Sequence, residues 1–382
     1  INVTDNLHAG IPNTQGGIVH LAAGGEIYLE GAVLGDNVYI AANDILNEGT
    51  IRAKQKLYLS AENVIQNQFG GFISADQVFL TSKENVVNGS FRPYKLEYAV
   101  NVARKAIFES GSHQDIPDDP EGTIKVAVND LSGVILGKTI QIEAKEVWNI
   151  NPYYVLHNGE ENPTVSLDAA LSDQVVIAAE DNITIKADVK FVNSSAIVEA
   201  YSGHLAIEAK IIDNERYRIQ VNTAPGQEIP ATFCVEEQRC VRQTNVSYEI
   251  NITDQYVHYF SPPARMYSAS NAVFIADTSF QNELSFIEVQ GDLNFRVNQF
   301  LQTGFELQKN VLVVATEKHS RRYCDKKVFG VCVDYDTDRW TTTDENYYSL
   351  KTGDLPALLS VEGYIGGEGN GKFELVTVKV NN

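Results

Sequence analysis

Near the start of the chain, three stretches alternate apolar and polar positions in the same way. They are Val38-Tyr-Ile-Ala-Ala-Asn-Asp-Ile-Leu-Asn47, Leu57-Tyr-Leu-Ser-Ala-Glu-Asn-Val-Ile-Gln-Asn67 and Val78-Phe-Leu-Thr-Ser-Lys-Glu-Asn-Val-Val-Asn88. Each holds two short runs divided by a polar turn. Val38, Ile40, Leu57, Leu59, Val78 and Leu80 are apolar among mostly polar or small neighbours, so one face of each predicted strand turns inward. The closing Asn residues lie 20 and then 21 positions apart. A unit that short cannot bury its apolar face alone. Stacked at about 4.8 Å on the next, it shares backbone hydrogen bonds and lines up its inward residues. The period therefore predicts an all-β solenoid, a parallel β-helix with one unit per coil.

Gly49, Gly70, Gly71 and Gly89 follow the repeated Asn positions. Asn and Gly both tolerate the left-handed backbone of a tight corner, so Asn47, Asn67 and Asn88 are read either as solvated corners or as a hydrogen-bonded ladder. Residues 1–90 form the regular part. From Pro93 the apolar residues Leu96, Ala99, Val100, Ala103 and Ile107 change to helical spacing, which predicts an inserted α-helix and exposed loop over 91–122. Alternation returns over 123–220. It gives way to an insertion with cysteines and tyrosines over 221–270, resumes over 271–316, yields to a second insertion over 317–355, and ends in strands over 356–382.

The formal charge of −20 on 382 residues argues against a nucleic-acid binder, which needs clustered positive charge. No apolar stretch of about 20 residues predicts a membrane span, and no N-terminal export signal is read. The chain starts at Ile1 in strand-like sequence without an initiator Met, as expected of a segment cut from a longer protein. Its four cysteines allow three pairings. Short loops close most readily, so Cys234–Cys240 and Cys324–Cys332 are expected, in two disulfide-bearing loop insertions and an oxidising exterior.

The units ending at Asn47, Asn67 and Asn88, with Gly70-Gly-Phe-Ile-Ser-Ala between the last two, resemble the repeats of filamentous haemagglutinin-type exoproteins of two-partner secretion. The match covers roughly residues 16–90, with fainter echoes at 133–149 and 175–214. The resemblance implies a right-handed coil, and a secreted, surface-displayed location on a Gram-negative bacterium. It also implies an outer-membrane transporter as export partner. In contact-dependent growth-inhibition effectors such shafts carry a receptor-binding region and deliver a toxin. The expected function is thus recognition of lipopolysaccharide or an outer-membrane protein on a target cell, by a monomer that is not an enzyme and needs no cofactor.

Candidate binding chemistry lies in the insertions. Lys318, Arg321, Arg322, Tyr323, Lys326, Lys327 and Phe329 form a basic, aromatic cluster suited to phosphate or carboxylate groups, against the plainer reading of a solvated run paired with nearby acids. Tyr256 and Tyr259, with Tyr248, His258, Phe260 and Tyr267, offer flat amphipathic rings to a sugar or protein, or pack the insertion. Asp334, Asp336, Asp338 and Glu345 have the ligand spacing of a calcium loop, although Arg339 replaces the Gly of its sharp turn. Hydrolase, phosphate-loop and zinc-protease motifs are absent. Two alternatives remain: a glycan-cleaving β-helix enzyme drawing on acids such as Asp181, Glu199 and Glu208, and an inert spacer.

Overall fold

The structure, a computed structural model, describes residues 1–5, 7–8, 17–91, 94–97, 132–156, 175–217, 219–225, 231–236, 242–367 and 372–379. These residues are almost all in β-strands, with no helix among them. The chain divides into two compact units. The first comprises Ile1–Gln220, Val257–Phe305 and Leu355–Val378, and the second Val221–Tyr256, Glu306–Asp354 and Lys379–Asn382.

In the first unit the sequence repeat becomes a register of parallel pairing. The strand Ala32–Asn47 pairs with Thr50–Asn67, placing Val38 beside Leu57, Ile40 beside Leu59 and Asn47 beside Asn67. Thr50–Asn67 pairs in turn with Gly71–Ser82 and Asn85–Gly89. Those two pair with Gly133–Ile150, which pairs with Val175–Ser194. Leu205–Glu215 and Ala272–Glu283 follow in the same sense. The inward residues of these strands form one continuous apolar cluster, from Val38 and Ile40 through Ile140 and Ile183 to Phe274 and Phe280. On the outer side Tyr39, Tyr58 and Phe79, neighbours in the same register, stack with ring centroids 5.2 and 4.5 Å apart.

The repeated Asn residues form a buried ladder. Asn47 Nδ2 donates to Asn67 Oδ1 at 2.7 Å. The series continues to Asn88, Asn149, Asn193, Asn214 and Asn282, each step 2.8–2.9 Å. From Asn67 onward each amide also gives its second hydrogen to a backbone carbonyl, as Asn149 does to Ile197 and Asn193 to Arg265. A buried amide would otherwise cost about 1–3 kcal/mol per unsatisfied group, so the ladder satisfies what the burial demands.

The left-handed backbone expected at the Asn positions lies elsewhere. It falls just after them, at Phe69 and Gly70, Ser195 and Leu284, or at Gly89 directly after Asn88, so of the predicted corner glycines Gly70 and Gly89 take it. Gly89 must be glycine: its φ is +91°, and a Cβ there would sit 1.9 Å from the Ile150 carbonyl oxygen. The Asn side chain turns inward to bond its neighbours, and the next residues take the turn.

Three other expectations need correction. The predicted helix opens as a strand, Tyr94–Glu97, paired parallel with Tyr153–Leu156, and its remaining positions from 98 lie outside the described residues. Backbone pairing outweighs helical spacing, which is a weak signal over so few residues. The loop-like insertions at 221–270 and 317–355 are built largely of strands: Ala231–Glu236, Arg242–Phe260, Gln299–Val328 and Val331–Leu355. The polar composition of 317–355 is that of strands exposed to solvent. The third concerns the calcium loop, taken up below.

Candidate functional site

The second unit is built on antiparallel pairing, whereas the first is parallel except where Val155 and Leu156 meet Phe260 and Tyr259. Ala231–Glu236 pairs with Arg242–Phe260, which pairs with Gln299–Val328 in unbroken register from Arg242 opposite Arg321 to Asp254 opposite Lys309. The chain then reverses at Phe329-Gly330 into the strand Val331–Leu355. Both turn residues have positive φ, 52° and 82°, the geometry of a two-residue type I′ hairpin turn whose twist matches that of flanking strands. Gly330 suits this at no steric cost, and Phe329 holds a fully exposed ring at the tip.

Two features hold the hairpin. Near the tip Cys324 and Cys332 form the expected disulfide, with Cα atoms 5.7 Å apart. Cys240 lies outside the described residues, while Cys234 sits in the strand Ala231–Glu236 opposite Asn245. At the base, buried Gln308 receives a hydrogen bond from Ser349 Oγ at 3.0 Å, and its own N–H donates to Gln255 Oε1 at 3.0 Å.

Between tip and base, contacts cross from one strand to the other. Tyr323 donates its hydroxyl hydrogen to Asp336 at 3.3 Å. The charges of Asp336 and Asp338 hold that phenol above its usual pKa. The His319 and Trp340 rings stack at 5.2 Å, and the Arg322 guanidinium lies 4.3 Å from the centre of the Tyr335 ring. Val331, Val333, Tyr335, Trp340, Tyr347, Tyr348 and Leu350 are all exposed. Large apolar side chains in such number on solvent-facing strands are characteristic of surfaces that meet a partner.

The predicted basic cluster is therefore not one patch. Neighbours along a strand face opposite ways, so Arg321 and Tyr323 share one face while Lys318 and Arg322 share the other. Lys326, Lys327 and Phe329 lie beyond the disulfide, all exposed. Among the described residues no ion pair engages Lys318, Arg321, Arg322, Lys326 or Lys327. Tyr256 falls in the second unit and Tyr259 in the first, where its backbone pairs with Leu156.

The calcium expectation fails on geometry. Asp334, Asp336, Asp338 and Glu345 all lie along the extended strand Val331–Leu355. At about 3.3 Å per residue, Asp334 and Glu345 are roughly 36 Å apart along the chain, too far for a single ion. Among the described residues no group of three His, Cys, Asp or Glu side chains is placed to hold a metal.

The acids named for an enzyme do not converge either. Asp181 accepts a hydrogen bond from Ser202, Glu199 is 3.1 Å from Arg265, and Glu208 is 4.0 Å from Lys186. A closer grouping, which no sequence motif marks, joins Asp213 and Glu215 on one strand to Glu283 on the next. Lys190 lies 2.7 Å from Asp213 and 5.3 Å from the centre of the Trp148 ring, whose N–H donates to Glu146. Burial, and next the charge of Asp213, push the Glu215 carboxyl above its ordinary 4.5. A carboxyl raised on folding favours the native state while protonated and loses that contribution as pH climbs through its folded pKa. Glu215→Gln is thus expected to raise the melting temperature at pH 7–8 and to leave it unchanged well below pH 4.5. An equal shift at both pH values would contradict this assignment.

No family model, curated protein or solved structure matches the chain.

Proposed function

We propose that the chain is a right-handed parallel β-helix segment of a secreted, filamentous haemagglutinin-type exoprotein, and that its second unit recognises the surface of a target Gram-negative cell. The observation that carries this reading is the hairpin of Gln299–Val328 and Val331–Leu355. It is crosslinked near its tip and anchored at its base, and it exposes aromatic rings and cationic side chains that contribute nothing to a core. Holding such side chains in place before contact lowers the entropy cost of binding. The ladder of parallel strands supplies the scaffold, and the repeat around Asn47, Asn67 and Asn88 supports the family assignment. Export through an outer-membrane transporter and delivery of a toxin by the parent protein follow from that assignment.

The test is binding of the fluorescently labelled chain to intact Gram-negative cells, beside a variant in which residues 319–340 are replaced by Asn-Gly. Saturable binding to the parent chain, lost in a shortened variant whose first unit melts as before, is expected. Protease-treated cells and cells with truncated lipopolysaccharide then separate protein from glycan receptors. Equal binding by both forms would remove the hairpin from recognition, and no binding on any strain would overturn the reading in favour of a spacer or a glycan-cleaving enzyme.

A further inference from the structure

The pleat of the hairpin sorts its charges. His319 contacts both Trp340 and Thr342, and Tyr323 contacts Asp336, so these side chains share one face, together with Asp338 and Arg321. The intervening residues face the opposite way: Lys318, Ser320 and Arg322 on the first strand, and Tyr335, Thr337, Arg339 and Thr341 on the second. The contact between Arg322 and Tyr335 lies on this second face. One face thus carries the carboxylates of Asp336 and Asp338. The other carries three exposed cations, Lys318 and Arg322 on the first strand and Arg339 across the strand gap, none in an ion pair among the described residues.

We propose that this cation-bearing face binds a glycan chain bearing phosphate esters, which deepens the recognition role given above and rests on it. Same-face positions along a strand are about 7 Å apart, so Lys318 and Arg322 stand roughly 13 Å from each other with Arg339 alongside. Such a row is too long for one small anion and fits successive charged groups on a polymer. The Arg322 guanidinium lies over the Tyr335 ring, and among the described residues no hydrogen bond takes up its N–H groups, the fork that meets two oxygens of one phosphate. The hydroxyls of Ser320, Thr337 and Thr341 share the face and complement a phosphate's three acceptor oxygens and the sugar hydroxyls between them. The separation of charge also explains how a chain of net charge −20 can approach a polyanion: the Asp336 and Asp338 carboxylates beside these cations are turned to the opposite face.

The test titrates the full chain with phosphomannan and with the same polymer after enzymatic removal of phosphate. Phosphomannan is expected to bind saturably, more weakly at high salt, and the stripped polymer not to bind. Arg322→Glu should weaken binding about tenfold or more, while its neighbour Arg321→Glu, with the same charge change on the opposite face, should weaken it by less than about threefold. Tyr335→Leu, which keeps every charge and removes the platform, should cost about two- to fivefold. Equal losses from Arg321→Glu and Arg322→Glu, or equal binding of both polymers, would overturn the proposal. If the intact chain ignores phosphomannan yet binds cells through the hairpin, the phosphate assignment falls and recognition stands. If it binds neither, both fall.

Discussion

Replacing Asn193 by Leu is expected to destabilise the first unit by about 3–5 kcal/mol, whereas Asn47→Leu should cost only about 1–2 kcal/mol. The two substitutions are chemically identical and both sites are buried. Their difference comes from position in the ladder. Asn193 accepts from Asn149, donates to Asn214 at 2.9 Å and gives its other hydrogen to the Arg265 carbonyl at 3.1 Å. Leu leaves the Asn214 oxygen and the Arg265 carbonyl without that donor and takes an acceptor from Asn149. Asn47 stands at the end: its Oδ1 has no hydrogen-bond partner among the described residues, and its register neighbour in the preceding strand is already Leu29. Only the bond to Asn67 is lost there. Urea unfolding followed by Trp148 fluorescence in a Trp340→Phe background reports the first unit alone, since the chain has two tryptophans, one in each unit. Equal costs at the two sites would mean that the hydrogen-bonded series carries no stability beyond ordinary burial.

Phe280→Ala should be comparably damaging, at about 3–5 kcal/mol. Phe280 is fully buried, with its ring centroid 5.2 Å from Phe274 and 5.4 Å from both Phe295 and Phe300. Edge-to-face and tilted contacts of this kind add to the area they bury, and truncating the central ring leaves a cavity the stiff neighbours cannot fill. Phe79→Ala is the comparison. Phe79 stacks on Tyr58 at the outer side, only partly buried, so water fills the space it leaves and the loss should be nearer 1 kcal/mol. The same fluorescence-detected unfolding decides it, and a cost below that of Phe79→Ala would rule out a central role for the Phe280 cluster.

The parts of the fold that repeat were legible, because repetition turns a weak local signal into a periodic one. Val38, Leu57 and Val78 could be placed on one inward line, and they occupy neighbouring register positions. The Asn period was equally visible. Whether those amides met water or each other was not, because that depends on the long returns that bring Asn149 to Asn88 and Asn282 to Asn214. At the site, the local pairing of Cys324 with Cys332 could be anticipated from loop length. The hairpin could not: Asp, Lys, Arg and Tyr in a polar run read as loop, and the I′ turn uses Phe329 where Asn or Asp would have announced it. Nor could the division of the basic run, since which neighbours share a face depends on the strand being extended. Asp213, Glu215 and Glu283 escaped notice for a related reason, as the two acids on either side of Asn214 meet the third only through parallel pairing.

Successive members of the Asn ladder are 20, 21, 61, 44, 21 and 68 residues apart along the chain, yet each pair is joined by the same hydrogen bond. The ladder records order and is indifferent to contour length. A segment can leave after Asn214, travel any distance, and re-enter at Asn282 as if nothing had intervened. Segments spliced in at such points are interchangeable cassettes, and one can be exchanged for another while the core keeps the same neighbours.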